Sequence, residues 1–383
     1  MNQHPDITII IPTYQRTAFL KRLLQYYTDV RLMIPLLIAD SSQEPAASAN
    51  QAIIQDMRTH LNLHYQTYDP SMRPETKIAA AVETVTTKYT VLCADDDFLI
   101  PNGINQCVTF LESHTDYSIA SGLTAFALGA TTPDDRLFTA INNLYEGWHT
   151  RTFPQPSIEF PDPTTRLLHH MQQYAPTFYA VHHREHMRDN LRTTNENSAG
   201  VRLDELLLSC LSMLQGKMRV LPALFMVRQA HAHSEGQRAT PWAAFMTSDQ
   251  FSTHYARFRN TLAAEVTRCS GMPTAEAREL VNRAFVAYLP LALELPMQQC
   301  TLPHLMHQAR KASGVIQHML CDLVRPQHWR RALTDPRETY LHARAKQLMQ
   351  ADPLSLSNLL DSRSPYHNDF MPVYKHLQDY FAR

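Results

Sequence analysis

The stretch Ile7-Thr8-Ile9-Ile10-Ile11-Pro12-Thr13-Tyr14-Gln15-Arg16 decides the fold. Its apolar, β-branched run has no polar alternation. Such a run suits a strand covered on both faces, the condition of a parallel strand inside an α/β sheet. Pro12 stops it. Phe19, Leu20, Leu23, Leu24 and Tyr27 then recur at helical spacing, with Lys21 and Arg22 off that face. Working outward, Pro35 to Ala39 reads as a second strand, 49–60 as a helix and Leu61 to Tyr68 as a third strand. A helix over 76–86 leads to the strand Tyr89-Thr90-Val91-Leu92-Cys93. Pro101 opens a further helix, with Ile104, Cys107, Val108 and Leu111 on one face. This β-α-β-α order predicts an open, mostly parallel sheet with helices on both faces.

Ligands of such sheets bind beyond the carboxyl ends of the strands. The polar residues there are Thr13 and Tyr14, Asp40 and Ser41, and the triplet Asp95-Asp96-Asp97. Adjacent carboxylates crowd like charge, and a divalent cation relieves that. Hard Mg²⁺ or Mn²⁺ takes one or two carboxylates together with substrate phosphates. In extended backbone Asp95 and Asp97 point one way and Asp96 the other. A solvated acidic turn ahead of the Pro101 helix is the plainer reading of the same residues.

Beyond residue 117 come β segments, then an irregular connection marked by Pro154, Pro156, Pro161 and Pro163. Helices are expected at 164–173 and 184–192, and Thr193 to Gly200 as a polar loop. Leu203, Leu206, Leu207, Cys210, Leu211 and Leu214 form a helical stripe opened by Asp204-Glu205, and Arg219 to Val227 reads as the last strand. From about 245 the pattern is helical, with Phe251, Tyr255, Phe258 and Leu262 on one face and Leu280, Val281, Ala284, Phe285 and Tyr288 on another. The expected division is residues 1–240 as an α/β domain and 241–383 as a helical C-terminal domain. His182, His183 and His186 beside Glu185 read as a surface helix, since no H-E-x-x-H pattern accompanies them.

The chain has 383 residues, 44% of them hydrophobic, which supports a sizeable core and two domains. The formal net charge of -1 gives no overall basic excess for nucleic acid. No secretory leader and no membrane span are expected. The cysteines form no C-x-x-C pair, so neither a zinc ribbon nor a disulfide framework is suggested. The simplest setting is the cytoplasm, free or at the inner face of the membrane.

Four motifs agree in order and spacing with one known family. Ile9-Ile-Ile-Pro-Thr-Tyr-Gln-Arg16 resembles the opening motif of family-two glycosyltransferases of the GT-A fold, and Leu37-Ile-Ala-Asp40-Ser-Ser resembles their second-strand motif. Lys77, in Glu75-Thr-Lys-Ile, resembles the basic position before their third helix, and Val91-Leu-Cys-Ala-Asp-Asp-Asp97 resembles their D-x-D motif. The resemblance covers residues 7–235. It implies a Rossmann-like GT-A domain that moves a sugar, with inversion, from a nucleoside-diphosphate donor, usually UDP-linked, to an acceptor hydroxyl on a glycan, lipid or protein.

The resemblance also implies roles. Pro12, Thr13, Tyr14 and Arg16 would line the nucleotide pocket, and Asp40 would accept from the base. Lys77 would lie near base or phosphate. Asp95 would contact ribose or metal, with Asp96 as its neighbour, and Asp97 would hold the metal. Asp204-Glu205 resembles the family's catalytic pair in reversed order, and the base falls by expectation on Asp204. Arg228 would meet the diphosphate, and His231 or His233 would complete the metal shell. Nucleotidyl transfer would want a glycine-rich loop after the first strand, and none is present. The other alternative is a non-catalytic nucleotide- or partner-binding protein on the same scaffold.

Overall fold

The computed structural model describes residues 6–128, 148–153, 155–230, 242–292 and 352–381. Within them a single sheet runs in the order β3-β2-β1-β4-β8-β6-β9-β5, with β7 paired to β6. The strands are β1 (Ile7–Thr13), β2 (Leu36–Asp40), β3 (Leu63–Thr67), β4 (Tyr89–Leu92), β5 (Phe98–Leu99), β6 (Tyr117–Leu128), β7 (His149–Phe153), β8 (Val181–His183) and β9 (Lys217–Gln229). β1, β2, β3 and β4 are parallel. β8 enters antiparallel between β4 and β6, and β9 runs parallel to β6.

Helices α1 (Thr17–Asp29), α2 (Ala46–Met57), α3 (Pro74–Glu83) and α4 (Pro101–Ser113) link the first strands. They are followed by α5 (Pro163–Gln172), α6 (Arg184–Glu196) and α7 (Val201–Gln215). The chain closes with α8 (Trp242–Met246), α9 (Phe251–Ser270), α10 (Thr274–Ala292), α11 (Leu356–Leu360) and α12 (His367–Phe381). The expected α/β sheet with helices on both faces and a C-terminal helical part is present.

β1 shows why its sequence is mostly apolar without alternation. Ile7, Ile9 and Ile11 belong to the core with α1, α2, α4 and α12. Ile10 points to the opposite core, with Leu37, Leu92 and residues of α3 and α6. Side chains alternate and both faces are covered, and the buried Thr8 hydroxyl is satisfied by that of Thr87 at 2.8 Å. The stripe of α7 packs with α5, α8, α9 and α10 in a third core. The C-terminal helices thus share apolar packing with α7, while α12 returns to α1.

Two expectations are corrected. Thr193 to Glu196 continue α6 instead of opening the polar loop. His182 and His183 lie in β8, and only His186 is helical. β8 has three residues, too few for a period to be read. No helix among the described residues is long and apolar enough to cross a membrane.

Candidate active site

Register brings the strand ends together. Thr13 pairs with Asp40, and Ile10 pairs with Leu92, so three residues further on Thr13 comes level with Asp95. The Thr13 hydroxyl donates to Asp95 Oδ2 at 2.7 Å. Lys77 reaches this ledge from α3. Its Nζ donates to the Thr13 carbonyl and to Ser41 Oγ, both at 2.8 Å. Lys77 is buried, and burial lowers its pKa while the nearby charges of Asp40 and Asp95 oppose the shift. The lysine therefore braces the ends of β1 and β2 from beneath. Tyr14 projects outward and is exposed, beside the half-buried Pro12.

Asp40 is buried, and its carboxylate is already held by the protein. Ser42 N–H donates to Oδ1 at 2.7 Å, while Asn50 Nδ2 and Tyr65 OH each donate to Oδ2 at 2.8 Å. An ionised carboxylate offers about four lone-pair directions, so a nucleobase would find one free. Sequence reasoning missed Asn50 and Tyr65. The signal for Asn50 was available: it shares a buried helical stripe with Ile54 and Met57, where a polar residue needs a partner.

The acidic triplet departs from extended geometry. β4 ends at Leu92, and Asp97 N–H donates to the Ala94 carbonyl at 3.1 Å, closing a turn. Strand alternation therefore does not divide the triplet as expected. Asp95 and Asp96 converge on one guanidinium instead: Arg16 Nη1 donates to Asp95 Oδ1 at 3.1 Å and to Asp96 Oδ2 at 2.8 Å. Asp97 turns to β9, because the antiparallel pair Phe98–Val227 sets it opposite Arg228. Gln229 N–H donates to Asp97 Oδ1 at 2.9 Å, and Arg228 Nε to Oδ2 at 3.3 Å.

All three carboxylates are buried. Burial pushes Asp95 and Asp97 up, and the charge of Asp96 adds to this. Arg16 and Thr13 pull Asp95 back, as Arg228 and the Gln229 amide do Asp97. Arg22 was read as lying off the apolar face of α1, yet it is largely enclosed. Its guanidinium sits 5.1 Å from the ring centres of Phe19, Phe98 and Tyr380, donates to Gln229 Oε1 at 2.6 Å and reaches the Asp96 carbonyl at 3.4 Å. Burial lowers its pKa to about 10.

Carboxylate oxygens are the donors a hard divalent cation takes. Asp95 and Asp97 offer carboxylate oxygens, the environment penalises their charge, and the 3.3 Å contact on Asp97 Oδ2 is loose enough to yield. No group of three metal-ligating side chains forms among the described residues. Two carboxylates plus substrate phosphates need no third. His231 and His233 lie outside the described residues.

The adjacent acids of α7 have different surroundings. Asp204 is buried and holds three internal hydrogen bonds: Ala199 N–H, Ser198 Oγ and Arg73 Nη2 each donate to it at 2.7 Å. It closes the turn into α7 and ties that turn to the start of α3. Gly200 makes this turn possible with a φ of 86°, in the left-handed region. Glu205, one position further, is exposed. Tyr174 OH donates to its Oε1 at 3.0 Å. Crowding by protein raises its carboxyl pKa, against the Tyr174 hydrogen bond and the charges of Arg228 and Arg202. Arg228 lies 4.8 Å from the Tyr179 ring centre. Its charge acts on both Glu205 and Asp97.

No protein-family model and no curated protein matches the sequence. Solved structures do. Residues 1–349 of TarS from S. aureus match with a TM-score of 0.51 at 11% identity, over 90% of this chain and 91% of that one. The same TarS fragment in complex with UDP-GlcNAc matches with a TM-score of 0.51 at 12% identity, over 90% and 91%. The likeness shows the fold.

Proposed function

We propose that this protein is an inverting glycosyltransferase of the family-two type, moving a sugar from a UDP-linked donor to an acceptor hydroxyl. One observation carries the reading: the acidic turn of Asp95 to Asp97 is bonded to Thr13 and paired with Arg16 and Arg228, and the charge of Arg228 also acts on the open carboxylate Glu205. The UDP-GlcNAc held by the TarS structure supports a UDP-sugar as donor. The chemistry of the ledge supports it too. The base would rest against the Asp40–Asn50–Tyr65 group and Tyr14, and the ribose against Asp95.

In the reaction the acceptor oxygen attacks C1 of the sugar while the bond from C1 to the diphosphate oxygen breaks. Glu205 takes the acceptor proton, and UDP departs with the bonding pair. Asp204 is not our choice, because all its hydrogen bonds are internal. Arg228 faces the departing negative charge and leaves Asp97 to meet it. Mn²⁺ or Mg²⁺ held by Asp97 and Asp95 would supply Lewis-acid stabilisation of the leaving diphosphate. Glu205 acting as base on the attacking hydroxyl favours a single displacement and therefore inversion. The acceptor, whether glycan, lipid or protein, and a cytoplasmic setting remain parts of the proposal.

The test is UDP release from a panel of UDP-sugars with Mn²⁺, for the wild type and Asp97→Ala. The expected result is cleavage of at least one donor and a loss of about 100-fold or more in the variant. Undiminished turnover by Asp97→Ala would remove the metal role.

A further inference from the structure

The contacts of Glu205 reach further than its own helix. Tyr174 follows α5 and is held on several sides. Its ring meets His170 at 5.2 Å and Tyr288 of α10 at 5.1 Å, edge to face. Tyr288 in turn meets Trp242 of α8 at 5.5 Å, and both are buried in the core shared by α5, α7, α9 and α10. A tyrosine fixed this way has little freedom in where it sends its hydroxyl. That hydroxyl donates to Glu205 Oε1, and no described residue bonds Oε2.

We infer that Tyr174 is a positioning residue for Glu205: it holds one carboxylate oxygen so that the other is presented to the acceptor. The inference rests on the reading of Glu205 as the base. A glutamate on an open helix face has several rotamers, and ordering it costs about 1–2 kcal/mol. A misplacement of about 1 Å at a reacting group costs on the order of 100-fold in rate. The anchor comes from outside α7, through rings contributed by the C-terminal helices α8 and α10. Those helices thereby act on the chemistry through Tyr174.

Several charged and titratable groups face this carboxyl. They are Tyr174 beside α5, Arg202 on α7, Arg228 on β9 and Glu75 on α3, with Tyr179 before β8 and Tyr288 on α10 also sensing its charge. Tyr174, Arg228 and Arg202 favour the ionised form, and Glu75 disfavours it. Removing the Tyr174 donor therefore moves the base to higher pKa. The base acts when ionised, so the rising acidic limb of the rate profile moves to higher pH.

The experiment is the pH dependence of UDP release, from pH 5 to 9, with the UDP-sugar the wild type cleaves best and water as acceptor. Wild type, Tyr174→Phe and Glu205→Gln are compared, with thermal melts and donor KM alongside. For Tyr174→Phe the expected result is an acidic limb raised by about 0.5–1 pH unit and kcat lowered about 3- to 10-fold on that limb. Donor KM stays within about twofold, since Tyr174 bonds Glu205 and none of the residues of the donor ledge. A profile coincident with wild type overturns the inference. If Glu205→Gln turns over normally, the base reading fails and the inference falls with it. If Glu205→Gln is inactive while Tyr174→Phe is unshifted, the positioning role alone fails.

Discussion

Replacing Lys77 with methionine removes the brace beneath the strand ends and keeps most of its apolar stem. The structure lets the cost be worked out. Two charged hydrogen bonds of 2.8 Å are lost, to the Thr13 carbonyl and Ser41 Oγ. Each such bond contributes about 1.5–3 kcal/mol. Two effects reduce the sum. The Thr13 carbonyl keeps the Ser41 amide at 3.2 Å, and methionine avoids the desolvation of a buried ammonium. Against this, Asp40 and Asp95 lose a neighbouring positive charge. The net expectation is a loss of about 2–3 kcal/mol, a large share of the roughly 5–15 kcal/mol that stabilises a domain. Urea unfolding reads it as a lower midpoint at unchanged m. Calorimetry with UDP should show affinity weakened by about tenfold, because a shifted Thr13 no longer aligns Asp95; that factor corresponds to about 1.4 kcal/mol. A loss below about 0.5 kcal/mol with UDP binding intact would refute the idea that Lys77 holds the ledge in place.

The neighbouring acids of α7 should separate cleanly. Asp204→Asn leaves Arg73 and the Ser198–Ala199 turn with a weaker acceptor, and should lower stability by about 1–3 kcal/mol in a denaturant melt. Gly103→Ala should destabilise by about 2 kcal/mol or more, because the added Cβ would lie 2.4 Å from the Leu224 carbonyl oxygen and 2.7 Å from Phe225 Cα, both backbone. A melt within about 0.5 kcal/mol of wild type would contradict that close approach. His182 is buried, donates its ring to the Thr177 carbonyl at 2.9 Å, and burial lowers its pKa to about 4. The unfolded chain binds this proton below about pH 6.5, so stability should fall as pH drops from there towards 4, by about 1.4 kcal/mol per pH unit from this group. His182→Gln should flatten that slope by about one proton, measured as unfolding free energy against pH.

Much of the fold was legible because burial on both faces leaves a plain signature. β1, β2 and β4 read as unbroken apolar runs, and the stripes of α1, α4, α7, α9 and α10 read as helices. β8 was lost to a helix because three residues, two of them histidine, carry no period. The site was legible as a set of strand ends and illegible in its geometry. Ala94 to Asp97 forms a turn whose closing hydrogen bond lies in the backbone, so alternation mis-sorted the acids. Arg22 reads as lying off the apolar face of α1, and its enclosure is not legible there because the Tyr380 ring that covers it is remote in sequence. Asp204 and Glu205 both suit the start of a helix, and composition does not rank them. A step of about 100° around the helix sends one carboxylate into the α7 turn and the other to the surface.

The most direct test of the central claim is UDP release from UDP-sugars by wild type and Glu205→Gln, with UDP affinity measured on both. The account expects the wild type to cleave at least one donor and the variant to lose about 100- to 10,000-fold in turnover at unchanged UDP affinity. A wild type that cleaves no UDP-sugar, or a variant that cleaves as well as wild type, would contradict it.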